Sequence, residues 1–119
     1  MWYGVSVLFE AVKMPQPQEE DVVWEECVYL VKASSALEAT EAGVRIGKQN
    51  EHEYEAAAGN QVRWTFRQIG EVYEIIDETV QNETEVFSRY LRPRQVKSLL
   101  APFEEGPDIA RPIGDGSRK

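Results

Sequence analysis

From Tyr3 to Val12 the chain sets Tyr3, Val5, Val7 and Phe9 against Gly4, Ser6, Leu8 and Glu10. A period of two belongs to a β-strand with two distinct faces. Met14 to Asp21 follows with Pro15 and Pro17. Proline has no N–H to give a paired strand, so this stretch reads as a loop and Val22–Ala33 as a second strand. Joined as an antiparallel hairpin, the two strands bring position 10 beside 24 and position 8 beside 26. One face then carries Val5, Val7, Phe9, Cys27, Tyr29 and Val31, a core. The other carries Leu8, Trp24, Val28 and Leu30 among Ser6, Glu10, Glu26 and Lys32. Neither face is simply polar, so both need covering.

Ser35-Ala36-Leu37-Glu38 has the capping-box pattern, a hydroxyl for an orphan N–H and a Glu three positions on. A helix is expected from there to about Gln49. Its small residues Ala36, Ala39, Gly43 and Gly47, with Ile46, form a stripe that lets it lie close on a sheet. Leu37 and Val44 fall on its flank, as packing at the edge of the core or as part of a contact surface. Asn50–Asn60 reads either as an extension of the helix or as a loop ending in a Gly-Asn turn. Val62–Arg67 alternates again, Gly70 suits a bulge before Val72–Ile76, and Thr84–Leu91 reads as a fourth strand after a turn at Gln81-Asn82. Arg92-Pro93-Arg94 closes that strand. Gln95–Ala101 makes a short helix with Val96, Leu99 and Leu100 on one side.

The expected fold class is therefore α+β: a four-stranded, mostly antiparallel sheet in the order β-β-α-β-β, one main helix on one face and a short C-terminal helix. Residues 1–103 make one domain. Residues 104–119, rich in Gly, Pro and charge, make a flexible tail. On the face away from the main helix, Trp24, Val28 and Leu30 are joined by Trp64 or Phe66. The occupants expected to cover this face are Val96, Leu99, Leu100 and Phe103, or a second copy of the protein.

A chain of 119 residues buries roughly two-thirds of its extended surface on folding, enough for a core of its own. Its net charge of −8 argues against general nucleic-acid or anionic-membrane binding. That charge is uneven: residues 1–60 hold 11 acids and 4 bases, residues 61–119 hold 10 and 9. Segment 89–97 contains Arg89, Arg92, Arg94 and Lys97 and no acid. The apolar runs are about five residues, far below the roughly 20 that span a bilayer. With no basic leader before the first of them, a soluble, cytoplasmic protein is expected.

No candidate for chemistry stands far above its ordinary structural reading. Glu51-His52-Glu53 invites a metal, but neighbouring side chains diverge and there is no second His, so a solvated charged turn is expected and no metal. Cys27 lies mid-strand on the core face beside Glu25 and Glu26, the setting of a buried structural thiol and not of a nucleophile. Glu10 and Glu26 share a face near Trp24. Two carboxylates in unlike environments can divide acid and base roles, yet acids at a sheet rim paired with Arg63, Arg67 or Arg89 are the simpler expectation. The basic segment with Tyr90 and Phe103 resembles a phosphate-gripping surface, but four charges in so acidic a chain fit a solvated face or internal ion pairs better. Glycine-rich phosphate loops, paired CxxC, HExxH and serine-elbow motifs are absent from the sequence. No cofactor and no catalytic residue is assigned.

Taken in order, Trp2-Tyr3-Gly4-Val5-Ser6-Val7-Leu8-Phe9-Glu10, Trp24-Glu25-Glu26, Tyr29-Leu30-Val31-Lys32-Ala33, Glu38-Ala39, Gly59, Val62-Arg63-Trp64 and Thr84-Glu85-Val86-Phe87-Ser88-Arg89 resemble the domain of unknown function 4288 family. The likeness covers about residues 1–91 and implies a small, stand-alone, bacterial, cytoplasmic domain; it carries no activity to transfer. The leading expectation is a non-enzymatic protein-binding or regulatory module that uses its apolar second sheet face, as a homodimer or with a foreign protein. The rival is a small-molecule binder or enzyme with a cleft lined by Glu10, Trp24, Glu26, Trp64 and Arg89.

Overall fold

The computed structural model describes residues 1–14, 22–56 and 59–101. The expected tail, and Phe103, lie outside these. Four strands and two helices follow one another as β1 (Trp2–Met14), β2 (Val23–Lys32), α1 (Ala36–Gln49), β3 (His52–Glu55), β4 (Gln61–Ile75) and α2 (Pro93–Leu100). The strands form one antiparallel sheet in the order β2-β1-β4-β3, the α+β architecture and chain order read from the sequence.

The first hairpin has the expected register, with Leu8 opposite Glu26 and Glu10 opposite Trp24. Its core face holds as well: Val5, Val7, Phe9 and Ala11 are completely buried, and Cys27 and Tyr29 pack against them. Burial raises the pKa of Tyr29, and the neighbouring Cys27 adds to it.

Helix α1 lies on this face against β1 and β4, and to a smaller extent β2. The Ser35 hydroxyl accepts the Glu38 N–H at 3.1 Å, while the Glu38 carboxylate accepts the Ser34 hydroxyl and N–H. These Ser34 donors hold the Glu38 carboxyl below its usual pKa. Ser35→Ala removes the cap, and thermal unfolding is expected to show a loss of about 1 kcal/mol. Ala39, Ala42, Gly43 and Gly47 are the buried residues of the helix; Ala36, counted in the expected stripe, is exposed. Gly47 lies directly against the Phe66 ring, leaving no room for a Cβ. Leu37 is 70% exposed.

Strand β4 slips twice against β1, between Val5 and Val7 and between Leu8 and Phe9. The first slip puts Gly70 and Glu71 opposite Ser6, the bulge expected at Gly70. After both shifts Trp64 pairs with Ala11 and Phe66 with Phe9, so both aromatic rings belong to the helix side of the sheet. The expectation that one of them joins Trp24, Val28 and Leu30 on the other face is therefore corrected.

The fourth strand is also different from the one expected. It is β3, drawn from the Asn50–Asn60 stretch, and Gly59 in left-handed backbone (φ 83°) helps to close its turn to β4. Thr84–Leu91 pairs with no strand among the described residues. After the expected turn, where Thr84 N–H donates to the Gln81 carbonyl, this segment crosses the second sheet face. Val86 presses its carbonyl onto Gly4, Phe87 meets the Tyr73 ring at 6.3 Å, and the Tyr73 hydroxyl donates to Glu85. That bond favours the neutral phenol and raises the Tyr73 pKa. Segment 84–91, and not α2, is what lies on this face. Helix α2 buries no residue, and Leu99 and Leu100 are 59% and 78% exposed.

Candidate functional site

The five residues expected to line one cleft separate into three groups. Glu26 and Arg89 come together. Strand β2 presents Glu26 on the second face, and segment 84–91 lays Arg89 across it, with Nη1 at 3.3 and 3.4 Å from the two carboxylate oxygens. Ser6, completely buried on β1, donates its hydroxyl to Glu26 Oε2 at 2.6 Å. Glu10 turns instead to Arg67, the residue left over at the second slip of β4, in an ion pair of 2.6 Å. Trp24 shares the face with Glu10 but is 52% exposed. Trp64 is 8% exposed on the opposite side and cannot take part. The pairing of the rim acids with Arg67 and Arg89 is the simpler of the two expectations for them.

A half-open cleft of about 750 Å³ lies between the sheet and segment 88–95. Leu8 and Gly70 line it from the sheet, with Glu26 and Glu71 beside them; Arg89, Leu91 and Gln95 line it from the C-terminal side. Gly70 is required there because a Cβ would stand 2.7 Å from the Ser6 hydroxyl. Glu71 and Gln95 were not among the expected site residues. The signal for Glu71 was its place beside Gly70, since a bulge puts two residues opposite one and re-aims a side chain.

A separate cluster lies at the opposite edge of the sheet. Glu51-His52-Glu53 heads β3 and is not a solvated turn. The Glu51 carboxylate accepts the Phe66 N–H at 3.0 Å, just past the end of the β3 ladder, and Glu53 pairs with Arg63 at 3.3 Å. His52 stacks between Tyr54 and Trp64, with ring centroids at 5.9 and 6.3 Å. Its Nδ1 donates to the Asn50 carbonyl at 2.9 Å, and Nε2 is buried and without a hydrogen-bond partner among the described residues. Cys27, expected to be buried, is partly exposed at the margin of the core, and its thiol donates to Glu25 Oε1 at 3.3 Å. Among the described residues no three His, Cys, Asp or Glu side chains converge as a metal site, and no helix is long and apolar enough to cross a membrane.

A third feature is an edge. Among the described residues strand β2 has a partner on one side only, and along its ten residues Trp24, Val28 and Leu30 stand 52%, 43% and 46% exposed on one face. Comparison with known proteins adds one likeness: a family model described as "Domain of unknown function (DUF4288)" matches residues 2–88. No curated protein and no solved structure matches.

Proposed function

Since the chain belongs to the DUF4288 family, whose description names no activity, its own surface has to supply the reading, and we propose a protein-binding module that pairs with a second copy of itself through the free edge of β2. The observation that carries this is the apolar row Trp24, Val28 and Leu30 beside a ten-residue edge that no other described strand pairs with. Such an edge is a template for another strand. The charges along it are self-complementary. Antiparallel pairing about a two-fold axis through Tyr29 sets Val28 opposite Leu30 and Glu26 opposite Lys32 of the second copy, twice over. A bacterial, cytoplasmic setting belongs to the same reading.

Equilibrium sedimentation tests it. The wild-type chain should weigh twice its 13.6 kDa. Lys32→Glu places like charges opposite each other twice and should weaken the dimer by roughly tenfold or more. Val28→Lys should leave a folded monomer. A wild-type monomer at millimolar concentration would overturn the proposal. The cleft of about 750 Å³ favours a second reading, a small-molecule-binding role that keeps Glu26 and Arg89 of the expected set and drops Glu10, Trp24 and Trp64.

A further inference from the structure

The cleft between the Gly70 bulge and segment 88–95 has unused binding capacity of both signs. Of the Arg89 guanidinium only Nη1 reaches Glu26, leaving Nε and Nη2 as donors without partners among the described residues. Arg89 keeps 35% of its side chain exposed. Gln95 uses its carbonyl oxygen to accept the Arg92 N–H at 2.8 Å, which leaves its amide N–H groups to donate. Glu71 has neither ion pair nor hydrogen bond among the described residues. Glu26, by contrast, is already held by Ser6 and Arg89 and serves as a fixed wall. Leu8 and Leu91 supply the apolar part of the lining.

We propose that this cleft binds a small zwitterion on an apolar frame, a free amino acid or short peptide, with its carboxylate on Arg89 and Gln95 and its ammonium on Glu71. A guanidinium with two free donors matches a carboxylate in a way that a lone ammonium cannot. A simple cation satisfies Glu71 but leaves the Arg89 and Gln95 donors idle; a simple anion does the reverse. At about 750 Å³ the cleft is within the usual size of small-ligand sites. This inference rests on the small-molecule reading and is independent of the β2 edge.

Titration calorimetry of the full chain with L-leucine and with leucyl-leucine tests it, the two probes separating a free amino acid from a peptide. Leucinamide, lacking the carboxylate, and N-acetylleucine, lacking the ammonium, serve as blocked forms. Saturable heat is expected from at least one zwitterion, with about tenfold to a hundredfold weaker binding of its blocked forms. Glu71→Gln lies at an exposed position and should weaken the zwitterion by a similar factor while leaving N-acetylleucine unchanged. The Gly70 amide and Gln95 side-chain amide signals should move on titration. No saturable binding by either zwitterion overturns the proposal, as does binding that Glu71→Gln leaves intact. Tight binding of one blocked form alone overturns the zwitterion yet keeps the cleft as a ligand site.

Discussion

Phe9→Ala lowers stability by about 3–5 kcal/mol, measured as a shift of the urea midpoint at constant slope. Phe9 is completely buried on the central strand, and its ring meets Phe66 edge-on at 6.4 Å and 70°. The substitution removes a ring's worth of apolar contact and breaks an aromatic pair. The hole it leaves lies between a sheet and a helix that already lie in close contact at Gly43 and Gly47, where neighbours have little freedom to fill it. Domains of this kind have only about 5–15 kcal/mol in all. The variant is therefore expected to unfold at much lower urea, or to fail to fold at 37 °C. A loss below about 1 kcal/mol would mean that the Phe9 site collapses freely and that the core is centred elsewhere.

Gly4→Val acts on the other face. A Cβ at position 4 meets the carbonyl of Val86, and a backbone group cannot rotate aside as a side chain does. Overpacking of this kind costs about 1–3 kcal/mol. The more telling readout is local. Segment 84–91 should leave the sheet, carrying Arg89 away from Glu26 and opening the cleft. Trypsin should then cut after Arg89 much faster than in the wild type, while amide exchange along β1 and β4 stays slow. Equal cleavage rates would show that the segment is held by Phe87 and Glu85 without help from the contact at Gly4.

The hairpin was legible, with position 8 beside 26 and 10 beside 24, because its first arm alternates and a proline-bearing loop separates it from the second, although neither face is simply polar. The α1 start was legible from Ser35 and Glu38, whose bonds are local. The fourth strand was not. Glu51 to Glu55 alternates charge with His52 and Tyr54, and four residues are too few to separate a short edge strand from a turn. Thr84–Leu91 alternates better, yet it lies across a face without joining the ladder. Periodicity reports an extended conformation but not whether its hydrogen bonds go to a neighbouring strand. The candidate site suffered from a related ambiguity. Glu26 and Arg89 meet because segment 84–91 crosses the sheet, 63 residues after Glu26. The side of the sheet taken by Trp64 depends on pairing with Ala11, which no pattern within β4 discloses. Glu10 and Arg67 meet for the same reason, at a slip that only the aligned strands reveal.

The order β2-β1-β4-β3 has a consequence for the time at which this chain can complete itself. β1 obtains one neighbour as soon as β2 has been synthesised, but the other only when β4 is made, and Trp2 waits for Ile75. Until then a nascent hairpin presents a thirteen-residue strand of unused donors and acceptors beside an apolar face. It is open to any extended chain nearby. Long-range pairings of this kind are slow to close, so the interval between translation of β2 and of β4 is the period in which this protein is most exposed to aggregation.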